Sequence, residues 1–214
     1  MSITTYTELQ AAVASWMDRT DLTSVIPDFI SLAETKLNRE LRCIQMEKRS
    51  TASVNMSSSE PQYIALPDDF RMMRRLRLSS VTGKPVLAFR SPTQIADYNF
   101  SRADTTGQPL YFTVFGSEME LSPVPDSAYT LEMIYASNIT PLSSTAPINW
   151  LLTQAPDAYL YGALMESEPY MKNDPRIGVW ATGRQLAIDE LNRQSQQQAY
   201  GASPIGISVS GATP

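Results

Sequence analysis

Two amphipathic helical stretches near opposite ends of the chain flank a middle whose periodicity is that of strands, and this order constrains the fold most. The first stretch is Ile26–Arg42 (IPDFISLAETKLNRELR) and the second Asp157–Asn192 (DAYLYGALMESEPYMKNDPRIGVWATGRQLAIDELN). A helix with an apolar stripe must bury it against another element. With strands between them, the two ends find each other. The expected fold is α+β: an antiparallel helical bundle formed by N- and C-terminal helices (1–45 and 150–199), with an inserted antiparallel β domain (46–149) and an extended C-terminal tail (200–214).

Local signals fill in this frame. Thr5 and Glu8 have capping-box spacing ahead of Leu9, Val13, Trp16 and Met17, which fall on one helical face. Asp21 opens another turn, and Pro27 suits a first helical position, after which Ile30, Ala33, Leu37 and Leu41 repeat at helical spacing. Past Met46 the period changes: a strand and polar loop over 47–60, a short strand at Tyr63–Leu66, and a single helical turn at Pro67–Phe70. A strand around Met72–Leu78, another at Val86–Phe89 and a short helix from Ser91 to about Tyr98 follow. Gly116-Ser117 separates Leu110–Phe115 from Glu118–Ser122, a two-residue hairpin loop with glycine first. Glu118 and Glu120 alternate with Met119 and Leu121, and Tyr129, Leu131, Met133 and Tyr135 alternate with Thr130 and Glu132. Leu110–Ala136 thus reads as an antiparallel meander, with Glu118 and Glu120 on a wet face. Pro156 opens the next helix, in which Gly162 and Ala163 allow close approach. Glu168-Pro169 ends it, and Asp174-Pro175 starts the last helix, with a stripe of Ile177, Trp180, Ala181, Ala187, Ile188 and Leu191.

The residue inventory leaves little room for chemistry. The chain has 214 residues, a formal charge of −5, one cysteine (Cys43) and no histidine. Without histidine there is no Ser–His or Cys–His pair, and the commonest metal ligand is missing. One thiol makes neither an internal disulfide nor a thiolate zinc site within one chain. Asp68/Asp69, Glu118/Glu120 and Glu166/Glu168 are adjacent, on a wet strand face, or two apart on a helix, so no pair faces another across a cleft. Gly83-Lys84 lacks the spacing of a phosphate loop and reads as a turn. Asn138-Ile139-Thr140 has the glycosylation pattern, but no secretion signal accompanies it. No catalytic, cofactor or metal site is expected, no segment is apolar enough to span a membrane, and a reducing, cytosol-like compartment is expected.

Two features invite an interaction reading. Arg71, Arg74, Arg75 and Arg77 form a basic cluster; no Lys or Arg occurs over 103–171, whereas 36–102 holds twelve basic and six acidic residues. Three readings stand: a solvated strand edge protected by charge, a surface where the basic side of one copy meets the acidic side of the next, or a DNA-facing patch. The tail from Tyr200 is uncharged and alternates Ile205, Ile207 and Val209 with Gly206, Ser208 and Ser210. That is either a frayed end or a strand suited to addition onto a partner.

The segments Ile26–Ile30 with Leu37–Arg42, Tyr63–Phe70 (YIALPDDF) and Ala158–Tyr170 (with YLYGALMESEPY) resemble, in order and spacing, the head–tail adaptor proteins of short-tailed phages and related prophages. The resemblance spans most of 5–195. It implies a non-enzymatic virion protein at the head–tail interface, assembled in the host cytoplasm as a dodecameric ring below the portal. Such a ring extends the DNA channel, lets the genome pass without specific binding, and docks the tail nozzle or tail tube protein. It also implies a C-terminal extension reaching the portal, here Tyr200, Ile205, Ile207 and Val209. Another connector or nozzle ring is the alternative within this class; a tail-vertex cell-wall hydrolase and a DNA-binding module are alternatives outside it.

Overall fold

The computed structural model describes residues 2–19, 21–102, 106–171 and 175–200, with Tyr200 described by its backbone alone. In chain order the helices are α1 (Tyr6–Met17), α2 (Ile26–Glu40), α3 (Pro92–Phe100), α4 (Trp150–Gln154), α5 (Pro156–Glu166), α6 (Glu168–Met171) and α7 (Ile177–Tyr200). The strands are β1 (Glu47–Ser53), β2 (Tyr63–Ala65), β3 (Phe70–Leu78), β4 (Ala88–Phe89), β5 (Tyr111–Phe115), β6 (Glu118–Ser122) and β7 (Thr130–Ser137). The class is α+β. The chain forms two units, one of residues 1–45 with 139–214 and one of residues 46–138.

In the helical unit, Thr5 and Glu8 close the capping box that starts α1, and Asp18 ends it in the left-handed region at φ 54°. Leu9, Ala12, Val13 and Met17 are buried, but Trp16 remains 44% exposed and meets Tyr161 edge-on at 5.9 Å. Helix α5 packs against α1, α2 and α7. Its approach to α2 requires Gly162, where an added Cβ would sit 3.1 Å from Ala33 Cβ. Helix α7 runs to Tyr200 through the glutamine-rich run; Gln194 donates to Glu190, and Gln45 donates to Gln198. Asp174, the expected cap of this helix, lies outside the described residues.

A buried polar network locks the connection back into the helices. Glu34 is only 6% exposed, and its Oε1 accepts from Leu142 N–H at 2.8 Å and Tyr159 O–H at 3.0 Å. Asn149 caps α4 through Leu152 N–H and donates to Thr140 O and Tyr159 Oη. Asn38 Oδ1 accepts from Ile139 N–H. These bonds place 139–149 with the helices, and the β unit spans 46–138 where 46–149 is expected from the sequence.

The β unit holds two sheets, ordered β1-β7-β3 and β2-β6-β5-β4. The β5–β6 hairpin turns at Gly116, φ +58°, as glycine at the first loop position requires. The meander is corrected at its third strand. β7 does not continue beside β6 but lies at the centre of the other sheet, antiparallel to both β1 and β3. Leu131, Met133 and Tyr135 from β7 join Leu76, Phe112, Met119 and Leu121 in the core between the sheets. The expected helical turn at Pro67–Phe70 is instead a turn in which Phe70 N–H donates to Pro67 O, leading directly into β3.

Candidate functional site: an arginine face and an apolar cleft

Strand β3 carries all four arginines of the basic cluster, but it does not present them alike. Its register against β7 slips between Phe70 and Met72 and again between Met73 and Arg75, so Arg71 and Arg74 are the extra residues of two irregularities. A bulge re-aims the side chain it carries. Arg77 stays in register directly opposite Glu132 of β7, with Thr51 of β1 on that residue's other side.

Glu132 is the centre of this face. It points away from the core that Leu131 and Met133 enter, yet its side chain is only 4% exposed because arginines cover it. Arg77 Nη2 lies 2.6 Å from Oε1, Arg49 Nη2 donates to Oε2 at 2.8 Å, and Arg75 Nη2 stands 3.7 Å from Oε1. Hydrogen bonds from Arg77 and then Arg49 hold the carboxyl far below its usual range, at about 2. One carboxylate cannot neutralise three guanidiniums, so the face keeps a cationic surplus. Arg77 Nε is itself buried without a hydrogen-bond partner.

The flanking charges are paired more simply. Arg74 Nε is 3.3 Å from Glu47 Oε1. Lys48 donates to Asp69 Oδ2 at 2.6 Å, and Tyr135 O–H donates to Oδ1 at 2.9 Å. Burial raises the Asp69 carboxyl, and the bonds from Lys48 and Tyr135 outweigh it, leaving a net lowering. Tyr135, buried and facing that carboxylate, is pushed up to about 12.

Beside the arginines lies a cleft of about 420 Å³ lined by β3 from Phe70 to Leu76, by Val86 and Leu87, and by Phe89, Phe112 and Val114. Its mouth leaves Met72 44%, Val86 61% and Phe89 63% exposed, with Phe89 edge-on to Phe112 at 5.6 Å. An apolar cleft of this size with polar groups at its rim has the character of a binding site. Across the second sheet, Tyr63 meets Phe115 edge-on at 5.8 Å, while Glu118 pairs with Phe115 and Glu120 with both Thr113 and Tyr63. Burial raises the Glu120 carboxyl.

Of the expected site residues, the structure joins Arg75 and Arg77 on Glu132 and separates Arg71 and Arg74 at the irregular positions. Glu132 and Arg49 are not among the residues that the sequence marks as a site; alternation gives only that Glu132 lies on the face opposite Leu131 and Met133. No local signal marks Glu132, because the arginines that cover it come from β1 and β3, distant in sequence. Tyr200 is described by backbone only, and Ile205, Ile207 and Val209 lie outside the described residues. The carboxylate pairs stay apart in use: Glu166 binds Lys36 at 2.6 Å and Asp69 binds Lys48. Among the described residues no three of His, Cys, Asp and Glu group to hold a metal ion, and no helix is long and apolar enough to cross a membrane.

No curated protein matches the chain. A family model does, over residues 4–207, which takes in the helical unit and the β unit with its arginine face. The chain belongs to the SU10 adaptor protein family, a family of phage adaptor proteins.

Proposed function

We propose that the chain is the head-to-tail adaptor of a phage virion: a dodecameric ring below the portal that extends the DNA channel and docks the tail nozzle or tube protein. The observation that carries this reading is the family match over nearly the whole chain. The role is structural, not enzymatic. The net charge of −5 suits a channel that must release its genome, because strong phosphate binding would hold it back. In this reading the uncharged tail, with Tyr200, Ile205, Ile207 and Val209, adds as a strand to the portal. Each backbone hydrogen bond so made contributes about 0.5–1.5 kcal/mol net, and repetition around a ring turns weak contacts into lasting ones.

The test is the native mass of the portal ring from the same genome, alone, with this protein, and with a variant ending at Tyr200. A gain of one ring of copies, lost on truncation, is the expected result. Absence of any gain overturns portal docking and favours a more distal connector ring. Turnover of peptidoglycan by the pure protein overturns the structural role.

A further inference from the structure

We propose that copies of this chain join head to tail through the β unit, the acidic aromatic face of one seating in the arginine-rimmed cleft of the next. The proposal rests on the ring reading and gives it an interface. Phe112 and Val114 line the cleft, so Thr113 and Phe115, alternating with them, face the opposite side of the sheet. The cross-strand pairs Phe115–Glu118 and Thr113–Glu120 put both carboxylates on that opposite side. One sheet therefore carries two complementary surfaces pointing apart. One offers an apolar hollow beside Arg71, Arg74 and Arg75; the other offers Phe115, 41% exposed, beside Glu118.

The charges of the two surfaces are opposite, and each carries exposed apolar side chains. Of the arginines that line the cleft, Arg75 stands 3.7 Å from a Glu132 that Arg49 and Arg77 already hold, and Arg74 lies 3.3 Å from Glu47 on its one side, so the rim stays cationic toward an external acid. Aromatic and arginine side chains are also those that anchor protein interfaces. Because the two surfaces differ and face opposite ways, the contact is heterologous, the kind that propagates around a closed ring. A DNA phosphate has no group to fill the apolar hollow, so a protein side chain is the better occupant.

The test uses the full chain carrying Arg74→Glu or Glu118→Arg, both at exposed positions, with thermal melts to verify the fold. Self-association is followed by sedimentation velocity and native mass spectrometry up to the solubility limit. Each variant alone should associate at least about tenfold more weakly than wild type, and an equimolar mixture, or the double variant, should recover. A second probe is disulfide trapping between Met72→Cys and Phe115→Cys copies, with Cys43 buried and out of reach; it should cross-link the mixed pair. Rings that form unchanged in every variant overturn this interface while leaving the ring reading intact. A wild type that stays monomeric throughout also overturns it. Loss of association on removing 201–214 alone, or Arg74-dependent binding of duplex DNA without self-association, assigns the cleft to another occupant and overturns it too. Portal binding is scored separately, so its failure sinks the adaptor reading and not this contact.

Discussion

Replacing Glu132 with Gln removes one negative charge while keeping the shape and an acceptor oxygen. In the unfolded chain this carboxyl protonates near its ordinary 4.5, and in the folded protein Arg77 and Arg49 hold it at about 2. A depressed folded value contributes stability that is full above the unfolded value and lost as pH falls through the folded one. Between those limits the unfolded chain binds about one proton more than the folded chain through this residue. The stability gap between wild type and Glu132→Gln should therefore be constant above about pH 5 and shrink with a one-proton slope below it. It should vanish near the folded value, where wild type carries a protonated, glutamine-like group. Taking the difference between the two proteins cancels every other carboxylate. Urea unfolding followed by circular dichroism from pH 7 down to the lowest pH at which both fold would measure it. Added salt should stabilise the variant more than wild type, since Arg49, Arg75 and Arg77 then repel one another without an acid between them. A gap that stays constant down to pH 3 would refute the assignment of Glu132 as the charge that holds this face together.

Three further changes probe the helical unit. Burial raises the Glu34 carboxyl, so wild type loses stability as pH rises from the unfolded value through the raised folded one; Glu34→Gln, which keeps the acceptor for Leu142 and Tyr159, should be at least as stable at pH 7 and show no advantage in acid, as melts at both pH values would report. Gly162→Val forces a branched side chain where a Cβ already lies 3.1 Å from Ala33, and overpacking of this kind costs about 1–3 kcal/mol; denaturant titration giving no loss would mean α2 and α5 separate freely. Asn149→Ala removes the α4 cap and a donor to Tyr159, a loss of about 1–3 kcal/mol; a change inside the error of the same titration would contradict the network.

Much of this architecture is legible in the sequence because its signals are local. Thr5 with Glu8, Ser91 with Gln94 and Gly116-Ser117 each declare a boundary within four residues, and each boundary is found in the structure. The partner of β7 is not local information. Alternation tells which face Leu131 and Glu132 occupy, but nothing in 130–137 says that β1 and β3, more than fifty residues earlier, flank it. Depth is equally non-local: Glu132 faces away from the core and is still buried, because arginine side chains from two other strands lie over it. Glu34 was illegible for the same reason, its partners Leu142 and Tyr159 being more than a hundred residues away. The site follows this rule. The arginines could be seen as a cluster, whereas the cleft required knowing that β3 and β5 border one space.

The charge asymmetry of the sequence now divides into a part used inside the molecule and a part left over. Glu132 and Glu166 come from the stretch without lysine or arginine, and each is bound by cations of its own unit, Arg49 and Arg77 for the first and Lys36 for the second. That consumes part of the acidic surplus and fixes Arg77 and Arg49 in place. Guanidiniums held on a carboxylate are poor at following a phosphate backbone, whose binding depends on cations that replace mobile counterions. The DNA-facing reading of the four arginines is weakened accordingly, since Arg77 is committed to Glu132. What remains outside is an apolar cleft with a cationic rim and, facing the other way, Glu118 beside Phe115. Any duplex DNA affinity should then be weak, and Arg77→Gln should lower the melting temperature before it changes that affinity. A variant that keeps the wild-type melt but loses salt-sensitive DNA binding would restore the nucleic-acid reading of this face.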